Sequence, residues 1–217
     1  SFDMIGQSAG GVLSITGEPD GKPCKPGVTL ADTGTGMLMA ITILGALYRQ
    51  QATGEGEHLQ LAMQDAMTQY SRLAYAYRDL NGKAAPRAGA KLFTTGNAPT
   101  GIFPCKPFGK NDYVYIYTTR AGNHHWERLC NLLGRKDLIN DPRFVGQKER
   151  ADNEEALDAI LAKFTKQYTK REAMKLIGEC GVPCGAVLDV SELYDDEDLN
   201  QRGIFQNMQH PERGEYK

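Results

Sequence analysis

The sequence predicts an α/β chain organised in two units, and three observations carry that reading. Residues 37–51 are apolar on nearly every face, the composition of a helix buried all round. Residues 101–106 and 112–119 read as strands on either side of the turn Phe108-Gly109-Lys110-Asn111, as in a hairpin. Between these regions, residues 83–98 are aperiodic and rich in Gly, Pro, Lys and Arg, which marks a linker. The units run over roughly 1–85 and 95–185, and the tail is expected to return to the first.

The elements follow in chain order. Residues 1–30 hold Gly10-Gly11, Glu18-Pro19-Asp20-Gly21 and Lys25-Pro26-Gly27, turn signals that leave room for a short helix at most. Asp32-Thr33-Gly34-Thr35-Gly36 leads into the apolar helix. Residues 52–57 form a turn, 58–62 alternate like a short strand, and 63–80 read as a second helix stopped by Asn81-Gly82. After the hairpin, helices are predicted over 123–133, 147–167 and 169–180, the last ending at Gly181 before Pro183. Residues 187–190 read as a connector, Ser191 opens a helical turn, and 204–209 form a strand. Residues 214–217 begin another strand; with the absence of an initiator Met, this suggests a segment of a longer protein.

Composition excludes several classes. Charged residues make up 24% of the 217 and the formal net charge is −2, so no polybasic surface points to nucleic acid or an anionic membrane. The apolar stretch 37–48 is short for a bilayer span, and no leader-like segment opens the chain. The five cysteines, Cys24, Cys105, Cys130, Cys180 and Cys184, are odd in number and scattered, as reduced thiols of a cytoplasmic protein are. No Cys/His spacing suggests a metal.

Asp32 is the most informative site. A carboxylate just before a long helix meets unpaired N–H groups and a favourable dipole, and the neighbouring Gly34 and Gly36 let a substrate approach the backbone. It is then placed to act as a nucleophile beside donors that stabilise an oxyanion. Local sequence alone favours the plainer reading, in which Asp32 or Thr33 caps the helix. Asp-Thr-Gly also occurs in aspartic proteases, but their chemistry needs two such carboxylates, and one copy followed by a helix does not supply them. His124-His125 point in different directions on a helix and read as exposed residues at a helix start. The Tyr113/Tyr115/Tyr117 alternation is one face of a strand. Lys22, Lys25, Lys83, Arg87 and Lys91 lie in loops and could meet a phosphate.

The order of segments resembles the class III CoA-transferases, the CaiB/BaiF family that includes formyl-CoA and carnitine CoA-transferases. Carrying residues are the run from Ser1 to Gly11, Thr16-Gly17-Glu18-Pro19, Ala31-Asp32 with Gly36-Met37, and Gln64-Asp65-Ala66. Further on they are Pro104-Cys105, Asp112-Tyr113, Gly122-Asn123 with Trp126, Asp141-Pro142-Arg143-Phe144 and Gly181-Val182-Pro183-Cys184-Gly185. The likeness covers the whole chain.

The resemblance implies a part of a Rossmann-like large domain in 1–90, a smaller α+β domain in 95–185, and a return segment in 186–217, in an interlocked homodimer. It implies Asp32 as nucleophile, acyl-CoA and a free carboxylic acid as substrates, and no cofactor beyond coenzyme A. It also brings Gly96, Asn97 and Thr100 forward as weak substrate contacts. Formyl-CoA transferases carry a glycine run there, whereas 94–101 has only Gly96 and Gly101; this argues against formyl or oxalyl specificity and leaves the reaction class intact. α-Methylacyl-CoA racemases share the fold but pair the aspartate with a histidine where this chain has Phe2, which cannot carry a proton. The alternatives are such an isomerase, or an inactive fragment serving only in assembly.

Overall fold

A computed structural model describes residues 1–94, 97–119 and 122–217. The chain divides into two compact units, Ser1–Thr95 and Gly96–Lys217. Residues 186–217, which the sequence assigns to a segment returning to the first unit, group with the second.

Among its described residues the first unit is helical and contains no strand. It begins with α1 (Asp3–Ala9), a 3-10 turn at Val12–Ile15, and α2 (Leu30–Thr53). Then come α3 (Met63–Tyr70) and α4 (Arg72–Asn81), a pair where the sequence predicts one helix, divided at Ser71. The expected strand at 58–62 is irregular chain: its alternation finds no neighbouring strand, and a lone strand leaves its ladder groups unpaired. Helix α1 packs on α2 and α3 through small residues. A Cβ at Gly10 would lie 2.2 Å from the Cβ of Met67, so only glycine permits that approach. The core here is Val12, Ala31, Ala66 and Met67. The linker is tied down, since the Arg87 guanidinium donates to the carbonyls of Ser14, Glu18 and Gly21.

Helix α2 departs most from expectation. It starts seven residues earlier than the apolar run, and its apolar side chains are largely open: Ile41 is 65% and Leu44 66% exposed. Its 24 residues span about 36 Å, so by length and composition it could cross a bilayer, contrary to the argument from residues 37–48. A helix apolar on all faces requires cover on all faces, and the first unit supplies only one.

The second unit carries an antiparallel sheet of β1 (Thr100–Pro104), β2 (Tyr113–Tyr117) and β3 (Cys184–Ala186), in that order. Thr100 pairs with Tyr117 and Pro104 with Tyr113, the predicted hairpin. The third strand, absent from the sequence reading, pairs Ile116 with Cys184 and Val114 with Ala186. Val114 and Ile116 face the core, and the tyrosines take the other face. Helices α5 (His124–Leu132), α6 (Gln147–Asp152), α7 (Glu154–Thr165) and α8 (Lys170–Glu179) complete it. The predicted 147–167 helix breaks at Asn153, whose side chain bonds back to the carbonyls of Glu149 and Arg143. At α8, Thr169 and Glu172 cap one another reciprocally.

Trp126, Phe144, Leu157 and Leu161 anchor one continuous core, with Trp126 edge-on to Phe144 at 5.9 Å. The tail adds α9 (Val190–Tyr194), α10 (Glu197–Gln201) and a hairpin of β4 (Met208–His210) and β5 (Gly214–Tyr216). Its start is fastened by Lys170, whose ammonium bonds the Val187 carbonyl at 2.8 Å and the Glu192 carboxylate at 2.5 Å.

Candidate active site

The site is built from the first turn of α2 outward. Asp32 is the third residue of the helix rather than its cap. The cap position belongs to Thr29, whose side chain makes no capping bond; its carbonyl receives the Thr33 N–H at 3.0 Å. The free N–H of Ala31 is taken instead by Asp3 Oδ1, at 2.9 Å and 28 residues away in sequence. Asp3 is only 6% exposed. Gln7, one turn along α1, donates to its other oxygen at 2.7 Å and also to the Val28 carbonyl, while Lys25 lies 3.7 Å away. Burial pushes the Asp3 carboxyl upward, but the bonds from Gln7 and from the N–H groups of Ala31 and Asp32 outweigh it and hold the group below the usual carboxylate range.

Asp32 is thereby left out of the capping network. Its carboxylate is exposed and makes no hydrogen bond or ion pair among the described residues. It stands at the positive end of the helix dipole, a geometry suited to an anionic nucleophile and to anions formed next to it.

The two glycines selected beside it part company. A Cβ on Gly34 would lie 2.7 Å from the Tyr70 ring, whose hydroxyl reaches the Gly34 carbonyl at 3.4 Å. Gly34 therefore makes room for Tyr70 of α3. A Cβ on Gly36 would meet nothing within 4 Å beyond the helix's own backbone, so that position is open to an incoming molecule. Of the loop cations, Lys25 faces Asp3 and Arg87 is spent on loop carbonyls.

In the second unit, Gly96 lies outside the described residues. Asn97 and Thr100 are buried and engaged: the Asn97 amide donates to the Tyr117 hydroxyl at 3.0 Å, and Thr100 Oγ1 accepts the Thr118 N–H at 3.3 Å. Arg150, which the sequence reading passed over, is 2% exposed and fixes this loop. Its guanidinium donates to the carbonyls of Ala98 and Phe144 and to Asn123 Oδ1, each within 3.0 Å. His124 is exposed as expected, but His125 is buried, its Nδ1 accepting the Thr119 N–H at 3.2 Å; burial, with His124 and Arg128 nearby, keeps it below the usual imidazole range. Among the described residues no group of three or more His, Cys, Asp or Glu is disposed to hold a metal ion.

Comparison with known proteins fixes the lineage. The family model of CoA-transferase family III matches residues 1–217. The chain belongs to that family. Among family III relatives, a formyl-CoA:oxalate CoA-transferase of Streptomyces coelicolor is 30% identical over 230 residues, covering 100% of this chain and 55% of that protein. One from Rhodopseudomonas palustris strain BisB18 is 32% identical, with 99% and 54% covered. The crystal structure of a CAIB/BAIF family protein from Brucella suis aligns with a TM-score of 0.77 at 29% identity, covering 96% of this chain and 53% of that one. Rv3272 of Mycobacterium tuberculosis, at 22% identity, shares the fold with a TM-score of 0.78. The chain thus spans about half the length of the relatives it matches, and α2 falls within the region matched.

Proposed function

We propose that the protein carrying this chain is an acyl-CoA:carboxylate CoA-transferase with Asp32 as its nucleophile. The observation that carries this reading is the Asp32 carboxylate, exposed and unpartnered in the first turn of a long helix whose capping is done by Asp3. Membership of family III and relatives named as CoA-transferases support it.

The chemistry follows from that arrangement. An Asp32 oxygen attacks the thioester carbonyl of the donor acyl-CoA; the C–S bond breaks, leaving an acyl–aspartyl anhydride and CoA thiolate. The thiolate then attacks the aspartyl carbonyl, releasing the donor acid and forming an aspartyl–CoA thioester. The acceptor carboxylate attacks that thioester to give a second anhydride, and the returning thiolate takes the acceptor acyl group and frees Asp32. Each step exchanges one activated acyl group for another, so coenzyme A serves as substrate and no other cofactor is required. Gly36 gives the substrate access to the backbone, while Asn97 and Thr100 shape the loop that opens the second unit.

This reading includes a Rossmann-like large domain completed by residues beyond this chain, an interlocked homodimer and a cytoplasmic location. The apolar surface of α2 then belongs to the interior of the complete fold. Because the loop has two glycines instead of a run, the acid pair is left at the level of carboxylic acids.

The test is isotope exchange by the intact protein across a panel of acyl-CoAs and free acids, followed by mass spectrometry of the Asp32 peptide. Transfer that falls at least a thousandfold in Asp32→Ala, with a CoA or acyl mass on wild-type Asp32, is the expected result. Undiminished exchange in the variant would remove Asp32 from the mechanism. Loss of substrate α-protons without any CoA transfer would replace the transferase with an isomerase.

A further inference from the structure

The N-terminus of α2 is closed by a residue from another helix. In a self-capped helix the acidic residue in the first turn turns back on its own N–H groups. Asp32 occupies a position from which it could do so, and Thr29 offers no competing side-chain bond. Two carboxylates, Asp3 and Asp32, are therefore candidates for the free N–H groups of one helix end, and Asp3 holds those of Ala31 and Asp32.

What fixes Asp3 explains why. It lies at the start of α1, which glycine contacts seat against α3. Gln7 grips one oxygen at 2.7 Å and the Val28 carbonyl at 3.3 Å, linking the acid to the strand of chain that enters α2. Lys25 balances the charge from 3.7 Å. The oxygen facing α2 accepts from Ala31 at 2.9 Å, and the Asp32 N–H acts on the same carboxylate. A buried acid held from three sides loses little freedom when it caps the helix, whereas an exposed first-turn aspartate would have to give up rotamer freedom.

We propose that Asp3 is a positioning residue for Asp32: it occupies the free N–H groups of α2 so that the Asp32 carboxylate stays out of the cap and faces the substrate. This deepens the transferase reading and rests on it for the consequence, though the capping itself has its own readout. Removing Asp3 exposes the N–H groups, and Asp32 turns inward to satisfy them. The nucleophile is then lost to a structural bond without any change in its identity.

Two variants of the intact protein test this, Asp3→Ala and Asp3→Asn, the second retaining an acceptor oxygen of the same reach. Amide hydrogen exchange reports the cap, and the initial rate of adduct formation on Asp32 reports the nucleophile. In Asp3→Ala we expect exchange at Ala31 and Asp32 to rise at least tenfold and adduct formation to fall about 10- to 100-fold, with KM for acyl-CoA changed less than threefold. Asp3→Asn should recover both to within a few-fold of wild type. A folded Asp3→Ala protein with unchanged amide exchange, or with unchanged adduct rate, would overturn the proposal. So would equal losses in the two variants, since an acceptor alone should suffice. A wild-type protein that forms no adduct would overturn the transferase reading, and the amide exchange of the two variants would still decide whether Asp3 is the cap.

Discussion

The second unit closes its core around Trp126, Phe144, Leu157 and Leu161, whereas the first buries Val12, Ala31, Ala66 and Met67 and leaves its longest helix largely uncovered. In the second unit the sheet and four helices supply apolar surface on several sides of one centre. In the first, three helices meet through glycine and alanine contacts that bring backbones close but enclose little volume. Small residues fix geometry well and contribute little hydrophobic stabilisation, which scales with the apolar area removed from water. The candidate nucleophile sits in the unit whose positions are set by close contacts and hydrogen bonds, and the larger core lies in the other.

The largest effect separating the two should come from equal truncations. Leu161→Ala, fully buried on α7, is expected to lower the unfolding free energy of the second unit by about 3 kcal/mol. Leu44→Ala on exposed α2 should change stability of this 217-residue chain by about 0.5 kcal/mol or less. Urea titrations of the two variants measure both; a similar loss in each would show that α2 is covered in solution and erase the contrast.

Thiol reactivity sharpens it further. Burial pushes Cys130 and Cys184 of the second unit up to about 12, while Cys24 of the first is exposed. At pH 8 iodoacetamide should label Cys24 at least about 100-fold faster than Cys130 or Cys184, because the thiolate is the reacting form. Peptide mass spectrometry over time reads the rates, and comparable labelling would mean that the second core opens readily.

The smallest expected effect is acid sensitivity. Arg143 donates to both oxygens of Asp141 and holds its carboxyl down at about 2 from an ordinary 3.8. A depressed carboxyl contributes stability above its unfolded value and loses it as pH falls through the folded one. Asp141→Asn should therefore differ from wild type above pH 4 and converge with it towards pH 2, followed by thermal unfolding across that range. A gap that persisted at pH 2 would assign the effect to something other than this pair.

Much of this was legible in the residues. The turn Phe108-Gly109-Lys110-Asn111 between two strand-like runs placed the hairpin, and the Tyr113/Tyr115/Tyr117 alternation marked one face of its second strand, because side chains on one face recur every second residue. The stop at Gly181 before Pro183 bounded α8 at its C-terminal end. Asp32 was legible as a special carboxylate through its place before an apolar helix. Other features were not. The third strand, Cys184–Ala186, is too short to show a period, and its pairing with β2 is a contact across some seventy residues. The same apolar run that announced α2 did not show that the helix stays largely open within this chain, since hydropathy states that a helix needs cover without stating which residues provide it.

The sequence by itself determined local preferences: where helices start, which face of β2 is apolar, which family the order of segments resembles, and that Asp32 lies at a helix N-terminus. Only the tertiary structure decided who caps that helix. Both Asp3 and Asp32 are acceptors of the right kind, and nothing in their spacing ranks them. The seating of α1 on α3 brings Asp3 within 2.9 Å of the Ala31 N–H, and one hydrogen-bond donor, once taken, leaves the other carboxylate free. Likewise Gly34 reads as an opening for substrate until Tyr70 is found against it. Such choices depend on distances between segments remote in sequence, which packing sets and local composition does not encode.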